Sequence, residues 1–228
     1  FGNGTTTVHT QIAATDLATG ADRIRLRSSD TDGAPYDTGA FASAGITVAG
    51  RALHAACESL REVLVDAAVR TVVSLQEGDR RVSRSNTADA SSELGDLLLG
   101  NERDAVLERD GVRIGDRLVT FAELLPAVPA EHRRGDRVIA TGEERGDRRS
   151  LAFNVQAFRV AVDVETGAVR ILQSIQSADA GRVLNPEQCR GQIEGGVAQG
   201  IGSALYEEVL IGDDGAVVNP VFRQSRVP

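Results

Sequence analysis

Lysine, methionine and tryptophan are absent from this sequence, and aromatic residues make up only 4% of it. Its 25 basic residues are therefore all arginine, and against 33 Asp and Glu they leave a net charge of −8. That balance argues against nucleic acid or an anionic membrane as the main partner, because phosphate binding needs a positive field. Arginines do cluster at Arg133, Arg134 and Arg137 and at Arg145, Arg148 and Arg149, but Asp and Glu are interleaved with them, as on a solvated loop. Only two cysteines are present, Cys57 and Cys189, far apart and without CxxC spacing. This rules out a disulfide framework and any zinc or iron–sulfur motif. Both are expected to pack as small apolar residues in a reducing compartment, taken here as the cytoplasm. No apolar run approaches the roughly 20 residues that span a bilayer, and no basic-then-apolar signal opens the chain. A soluble protein is expected.

Reactive side chains are equally scarce. His9, His54 and His132 are scattered, and none sits with Cys, Asp or Glu at metal-ligand spacing. There is no GxSxG, no HExxH, no phosphate loop and no GxGxxG opening a helix after a strand. Side-chain chemistry alone offers no catalytic centre. Residue 1 is Phe where a translated chain starts with Met, and Arg226-Val227-Pro228 closes the sequence without a capped helix, so a piece of a longer polypeptide is expected.

What is present is ordinary in bulk: 41% hydrophobic and 25% charged residues over 228 positions, enough for one or two domains with a sizeable core. Val8, Ile12, Ala13 and Leu17 recur at helical spacing behind the hydroxyls of Thr5, Thr6 and Thr7. Ile24 and Leu26 alternate with Arg23, Arg25 and Arg27, which predicts a half-exposed strand, and Asp30 to Ser43 then form a loop. From about Thr47 a helix follows, with Leu53, Cys57, Leu60, Leu64 and Ala67 along one stripe. Asp110-Gly111 predicts a tight turn between Leu107 and Val112, and Thr120 with Glu123 predicts a capped short helix. Charged stretches at 76–84 and 131–149 predict exposed loops.

The last third is the most regular. Phe158, Val160 and Val162 alternate with polar or small residues, Glu165-Thr166-Gly167 turns the chain, and Val169 and Ile171 resume, which predicts a hairpin. Asn185-Pro186 begins a helix in which Ile193, Val197, Ile201 and Leu205 repeat every four residues, and Asp213-Asp214-Gly215 marks one more turn. Gly191, Gly195, Gly196, Gly200 and Gly202 interrupt that helix, each at up to about 1 kcal/mol relative to Ala, so a close backbone or a ligand must compensate. Helices and hairpins in blocks, without βαβ alternation, place the fold in the α+β class. Three segments are expected: 1–74, a first α+β lobe; 75–150, a connecting region with exposed charged loops; and 151–228, a second α+β lobe with the hairpin and the Gly-rich helix.

Three glycine-rich polar patches stand out: Phe1-Gly2-Asn3-Gly4-Thr5, Thr38-Gly39-Ala40-Phe41-Ala42-Ser43 and Gly191-Gln192-Ile193-Glu194-Gly195-Gly196. Each combines permissive backbone with amides or hydroxyls. Such patches suit a large organic ligand whose edges are read by backbone N–H groups, and equally they serve turns and close packing. For Gln192 the open choice is between a ligand contact and a bond to local backbone.

The ordered set Gly2-Asn3-Gly4-Thr5-Thr6-Thr7, Gln11-Ile12-Ala13-Ala14, Asp30-Thr31-Asp32, Ala42-Ser43 and Gly50-Arg51-Ala52 resembles the molybdenum hydroxylase family, the molybdopterin-binding large subunits of xanthine dehydrogenase and aldehyde oxidase type. So does the later run Val162-Asp163-Val164-Glu165-Thr166-Gly167, Asp179-Ala180-Gly181-Arg182-Val183-Leu184-Asn185-Pro186 and Gly191-Gln192-Ile193-Glu194-Gly195-Gly196-Val197-Ala198-Gln199-Gly200. The resemblance covers about residues 1–68 and 104–228. It implies mixed helix and sheet two-layer units, as in the cofactor-binding domain of xanthine dehydrogenase. It also implies an oxidoreductase that hydroxylates an aldehyde or N-heterocyclic carbon with water, the molybdenum being held by the dithiolene of a pterin rather than by protein ligands.

By the same resemblance, Gly2, Asn3, Gly4, Ala40, Phe41, Ala42, Ser43 and Gln192 are the cofactor-binding residues. Asn3 stands where many family members carry Gln, one methylene longer. Asp179 orders a turn, and Glu194, Glu207 and Glu208 are structural or face solvent. The family's general base, a Glu, is implied downstream of Pro228, so no catalytic residue is assigned here and the chain alone is expected to be inactive. Iron–sulfur and FAD centres are implied on partner subunits or domains, alongside the rest of the molybdopterin subunit, in an oligomer. The alternative is a relative that has lost catalysis and serves as a binding or assembly module.

Overall fold

The computed structural model describes residues 2–28, 30–33, 36–37, 39–83, 105–147 and 151–223. It divides into two units, Thr5–Arg148, and Phe1–Gly4 together with Arg149–Pro228. Phe1, Thr38, Arg148, Arg149 and the closing Arg226-Val227-Pro228 lie outside the described residues.

In the Thr5–Arg148 unit, helix α1 (Thr5–Asp16) lies against the long helix α3 (Ala49–Ser83), which is preceded by a single turn, α2 (Ala44–Thr47). The expected stripe is in place: Cys57, Leu64 and Ala67 are buried and Leu53 and Leu60 half-buried. Burial pushes the Cys57 thiol up to about 11, so it is a packed, unreactive group. The stripe continues through Ala68, Val69 and Val72, and the helix with it. The charged stretch expected as a loop from residue 76 is therefore helical as far as Ser83. Gln, Glu and Arg are good helix formers, and Gly78 alone costs only about 1 kcal/mol. The division expected at 74/75 falls inside this helix.

Strands β1 (Ala105–Glu108), β2 (Gly111–Ile114) and β3 (Arg117–Thr120) make an antiparallel meander, the first turn falling at Asp110 as expected. Leu107 pairs with Val112 and Val112 with Val119, so one row of three buried side chains crosses the sheet. That row packs with Ile114, Leu124 and Val128 on Val63, Leu64, Ala67, Ala68, Val69 and Val72 of α3. A one-faced sheet and a one-striped helix have buried each other, the elementary two-layer solution. Helix α4 (Phe121–Leu124) starts with the expected capping box: the Glu123 N–H donates to Thr120 Oγ1 at 3.4 Å, and the Thr120 N–H donates to Glu123 Oε2 at 2.8 Å.

Two further expectations are corrected. Residues 24–28 form no strand, because among the described residues no partner strand lies beside them. Arg23 instead donates to Arg109 O at 2.6 Å and to Asp110 Oδ1 at 3.0 Å, tying the segment to the β1–β2 turn. The stretch 131–149 is not all exposed loop. Strands β4 (Arg133–Arg134) and β5 (Arg137–Val138) pair within it, and the chain then crosses α3 so closely that a Cβ at Gly142 would strike Ala52 O and Ala56 N. Only glycine permits that approach.

The contacts of α1 with α2 and with α3 each carry an imidazole. His9 Nε2 donates to Gly45 O at 3.0 Å, and His54 Nδ1 donates to Asp16 Oδ2 at 2.8 Å, with Glu58 3.6 Å from its other nitrogen. The hydrogen bond to Asp16 leads in raising the His54 pKa above its ordinary 6.5, against desolvation and with help from the charges of Asp16 and Glu58. A group raised on folding stabilises fully below its unfolded pKa and loses that contribution as pH rises through the folded value. His54→Gln is thus expected to cost about 0.5 kcal/mol at pH 5.5, the scale of an exposed pair, and less at pH 9. Urea unfolding at the two pH values checks this; an equal cost at both would refute the imidazolium.

In the second unit, β6 (Phe153–Val162) and β7 (Val169–Asp179) form the expected hairpin, with a bulge at Arg159/Val160. Asp163 Oδ1 accepts the N–H groups of Glu165 and Thr166 at 2.9 and 3.0 Å and shapes its turn. Helix α5 (Pro186–Leu205) follows, capped by Asn185. No apolar side chain in the described part of this unit is buried: Phe153 is 71% exposed and Val155 69%. Asn219 is the buried polar residue, its amide bridging the Leu210 N–H and the Glu208 carbonyl at 2.8 and 2.5 Å. The whole is α+β, as expected from the sequence.

Candidate cofactor-binding surface

The first glycine patch turns on two left-handed residues, Gly2 at φ +79° and Gly4 at φ +76°, with Asn3 half-buried between them. Gly2 has open space where a Cβ would be, whereas a Cβ at Gly4 would strike the Cδ and Oε1 atoms of Gln188. The opening turn is therefore seated on the first turn of α5, inside one unit. That turn is itself fixed by its cap: Asn185 Oδ1 accepts the Gln188 N–H at 3.1 Å, and Asn185 O accepts the Cys189 N–H at 3.0 Å. Sequence reasoning missed Gln188. A signal was available, because Gln188, Gln192, Gly196 and Gly200 are four residues apart and share one face of the helix.

Gln192 is exposed, one turn beyond Gln188. Positions Gly191, Gly195, Gly196 and Gly200 have nothing within 4 Å of where a Cβ would stand. The close neighbour expected to compensate for these glycines is not supplied by the described part of this chain, and bare helix backbone is presented outward. On its opposite flank α5 leans on β7, leaving a groove of about 740 Å³ lined by Ser174, Gln176, Cys189, Ile193 and Val197. Asp179 orders a turn, as expected: its Oδ1 accepts the Gly181 N–H at 2.9 Å. Glu194 is tied to Arg190 at 2.7 Å, and Glu207 and Glu208 are exposed.

The second patch belongs to the Thr5–Arg148 unit. Asp37 Oδ1 accepts the Gly39 N–H at 2.9 Å, Ala40 starts a single 3₁₀ turn over Phe41–Ser43, and Phe41 is 68% exposed. Ala42 (φ +51°) and Ser43 (φ +60°) both adopt the left-handed conformation, at about 1 kcal/mol or more each for residues with a Cβ. Strain in two successive residues marks a loop whose shape is imposed, and it leaves the Ser43 side chain out of the α2 cap. Ala42→Gly relieves it: stability is expected to hold or rise by up to about 1 kcal/mol, where the same change in regular structure loses about that. A melting temperature that falls would contradict the conformation.

Taken unit by unit, these residues offer carboxamides, left-handed turns or uncovered backbone rather than a metal cage. Among the described residues no group of three or more His, Cys, Asp or Glu is placed to hold an ion. No helix among them is long and apolar enough to cross a membrane. The donor set suits an organic group that brings its metal with it, and the open space beside Gly2 and along Gly191, Gly195, Gly196 and Gly200 leaves backbone uncovered for such a group.

Comparison with known proteins agrees. The chain belongs to the molybdopterin cofactor-binding domain family, whose model matches residues 1–228. Among curated relatives, it is 29% identical to the gamma subunit of the 6-hydroxypseudooxynicotine dehydrogenase complex of Paenarthrobacter nicotinovorans, over 100% of this chain and 26% of that protein. It is also 29% identical to the putative xanthine dehydrogenase molybdenum-binding subunit of Escherichia coli K12, over 100% of this chain and 28% of that protein. Among solved structures, quinoline 2-oxidoreductase from Pseudomonas putida 86 matches 99% of this chain and 26% of its own at 27% identity with a TM-score of 0.71. Copper- and molybdenum-containing CO dehydrogenase shares the fold at 22% identity and the same TM-score, 0.71. The chain thus spans about a quarter of the length of the relatives it matches.

Proposed function

We propose that this chain is a cofactor-binding portion of the molybdopterin subunit of an oxidoreductase that hydroxylates an aldehyde or N-heterocyclic carbon with water. The observation that carries the reading is the seating of the Gly2-Asn3-Gly4 turn on α5 beside Gln188, with bare helix backbone beyond it. When bound, the molybdenum-carrying pterin supplies the redox chemistry. The chain's own part is recognition: in one unit the backbone N–H groups of the 2–4 turn and the amides of Asn3 and Gln192 bind the cofactor, and in the other Ala40, Phe41, Ala42 and Ser43 are assigned as cofactor-binding by the family resemblance of their sequence. Left-handed turns suit this task because they point successive N–H groups outward and let no side chain intervene.

None of the carboxylates placed above is assigned as a general base. Glu194 is held by Arg190, and Asp179 by the Gly181 turn. The chain by itself is inactive in this reading, the base and the substrate pocket being completed by the rest of the subunit. Iron–sulfur and flavin centres on partner subunits or domains would take the electrons, in a cytoplasmic oligomer. The exposed apolar residues of the second unit favour one alternative, a relative that has lost catalysis and serves as an assembly module.

Purification of the full-length subunit, co-expressed with its partners in molybdate-supplemented cells, decides between them. About one molybdenum and one pterin per subunit are expected by metal analysis and fluorescence of the oxidised pterin. A complex that assembles with neither is the module.

A further inference from the structure

Strand β6 has a face and an edge that nothing in the described chain covers. Cross-strand partners share a face, so the pairing of Val155 with Ser177 and of Ala157 with Ile175 puts Phe153, Val155 and Ile175 on one side of the hairpin. Ser174 and Gln176, which line the groove under α5, point to the other side. Phe153, Val155 and Ile175 therefore stand exposed on the side away from α5. The two edges differ as well. Arg159 pairs with Gln173 and Val160 with Ile171, so the extra residue, Leu172, belongs to β7 and breaks the regular row of that strand. The outer edge of β6 runs Phe153–Val162 without a proline or an extra residue, and Arg159 is its one charge. Apart from that arginine it carries none of the devices that blunt a natural sheet edge. No third strand lies beside it among the described residues. A two-stranded hairpin is marginal by itself, and no apolar side chain in the described part of this unit is buried.

We propose that β6 is an interior strand of a larger sheet. An extended segment of the same subunit, lying outside these 228 residues, pairs along its outer edge, and apolar side chains of that polypeptide cover Phe153, Val155 and Ile175. An open ladder selects an extended backbone, because only a strand satisfies a whole row of outward N–H and C=O groups. In the curated relatives about three quarters of the polypeptide lies outside the matched stretch, which is ample to supply one. A segment on the same polypeptide meets the hairpin at an effective concentration on the order of millimolar, far above that of a second copy. A unit without a buried apolar core needs its cover from the start. The inference rests on the reading of this chain as a portion of a larger subunit, and is independent of the cofactor that subunit holds.

The test uses the full-length subunit in its co-expressed complex. Amide hydrogen exchange over residues 153–162 is followed by mass spectrometry against a free peptide of the same sequence. Every second N–H of an edge strand points outward, so an uncovered β6 would exchange about half of its amides within roughly tenfold of the free-peptide rate. A third strand is expected to slow nearly all of them by more than about a hundredfold. In the same complex, Val155→p-benzoylphenylalanine is expected on irradiation to link to another peptide of its own subunit. Fast exchange of half the amides would overturn the proposal. So would a link to a second copy or to a partner subunit, read from the summed mass, or no link at all. Val155→Asp is expected to lower the yield of soluble complex about tenfold, because it places a charge under the cover. Val164→Asp, in the turn and almost fully exposed, should keep the wild-type yield; equal yields for the two would count against the cover. Pterin is assayed in the same preparation: a protected, self-linked β6 without pterin leaves the sheet in place and sinks the cofactor reading alone.

Discussion

A Gly4→Val subunit is expected to assemble with less than about a tenth of the wild-type pterin and molybdenum. The loss has two sources that add. A β-branched residue at φ +76° is held in a conformation that disfavours it by roughly 1–2 kcal/mol, and its Cβ would stand inside the Gln188 carboxamide. The turn must move, and a turn displaced by even about 1 Å forfeits hydrogen bonds that depend on aim. Gly2→Ala is the internal control. Gly2 has the same backbone sign but open space around it, so only the conformational part applies there and most of the cofactor should remain. Metal and pterin analysis of the two purified complexes checks the contrast, and equal loading of Gly4→Val and wild type would remove the 2–4 turn from the cofactor site.

The largest effect on folding is expected at Leu124. It is 0% exposed, sits where α4 closes over the meander, and touches the row made by Val112 and Val119. Truncation to Ala deletes buried methyl groups and leaves a cavity, at about 2–5 kcal/mol. That is a large share of the roughly 5–15 kcal/mol that holds a domain together. The denaturation midpoint should fall accordingly while the urea dependence keeps its slope. An unchanged midpoint would mean the core of this unit is centred elsewhere.

The parts of this fold that were legible in the sequence are those written in local period. The stripe from Leu53 to Ala67 names one face of α3, the Thr120 and Glu123 pair announces a helix start, and Glu165-Thr166-Gly167 between alternating runs gives the hairpin. Each signal is complete within a few residues. The failures share a cause as well. Ile24 and Leu26 alternate with arginines as a strand would, but a strand exists only with a partner, and none lies beside them in the described chain. The charged residues after Gln76 look like loop until the helix before them is seen to carry straight through to Ser83.

The candidate site divides in the same way. Glycines at 2 and 4 could be singled out as places where backbone must come close, and both are left-handed. Ala42 and Ser43 adopt the same conformation without glycine's licence, which no propensity argument would have foreseen. Gln188 went unnoticed because its meaning depends on Gly4, at the other end of the chain. A half-buried amide is unremarkable in a string of letters, and its contact with Gly4 shows only once the two are seen side by side.

The bareness of the β6–β7 hairpin has a consequence for how such a protein is made. Ten- and eleven-residue strands that leave Phe153, Val155 and Ile175 exposed, with no third strand beside them among the described residues, form a template on which any other extended chain can register. Until its proper cover arrives, the nearest candidate is the same hairpin in another newly synthesised copy. The yield of correctly built protein then becomes a race between one first-order event and one second-order event. Slowing synthesis, and so keeping nascent copies dilute, should favour the former.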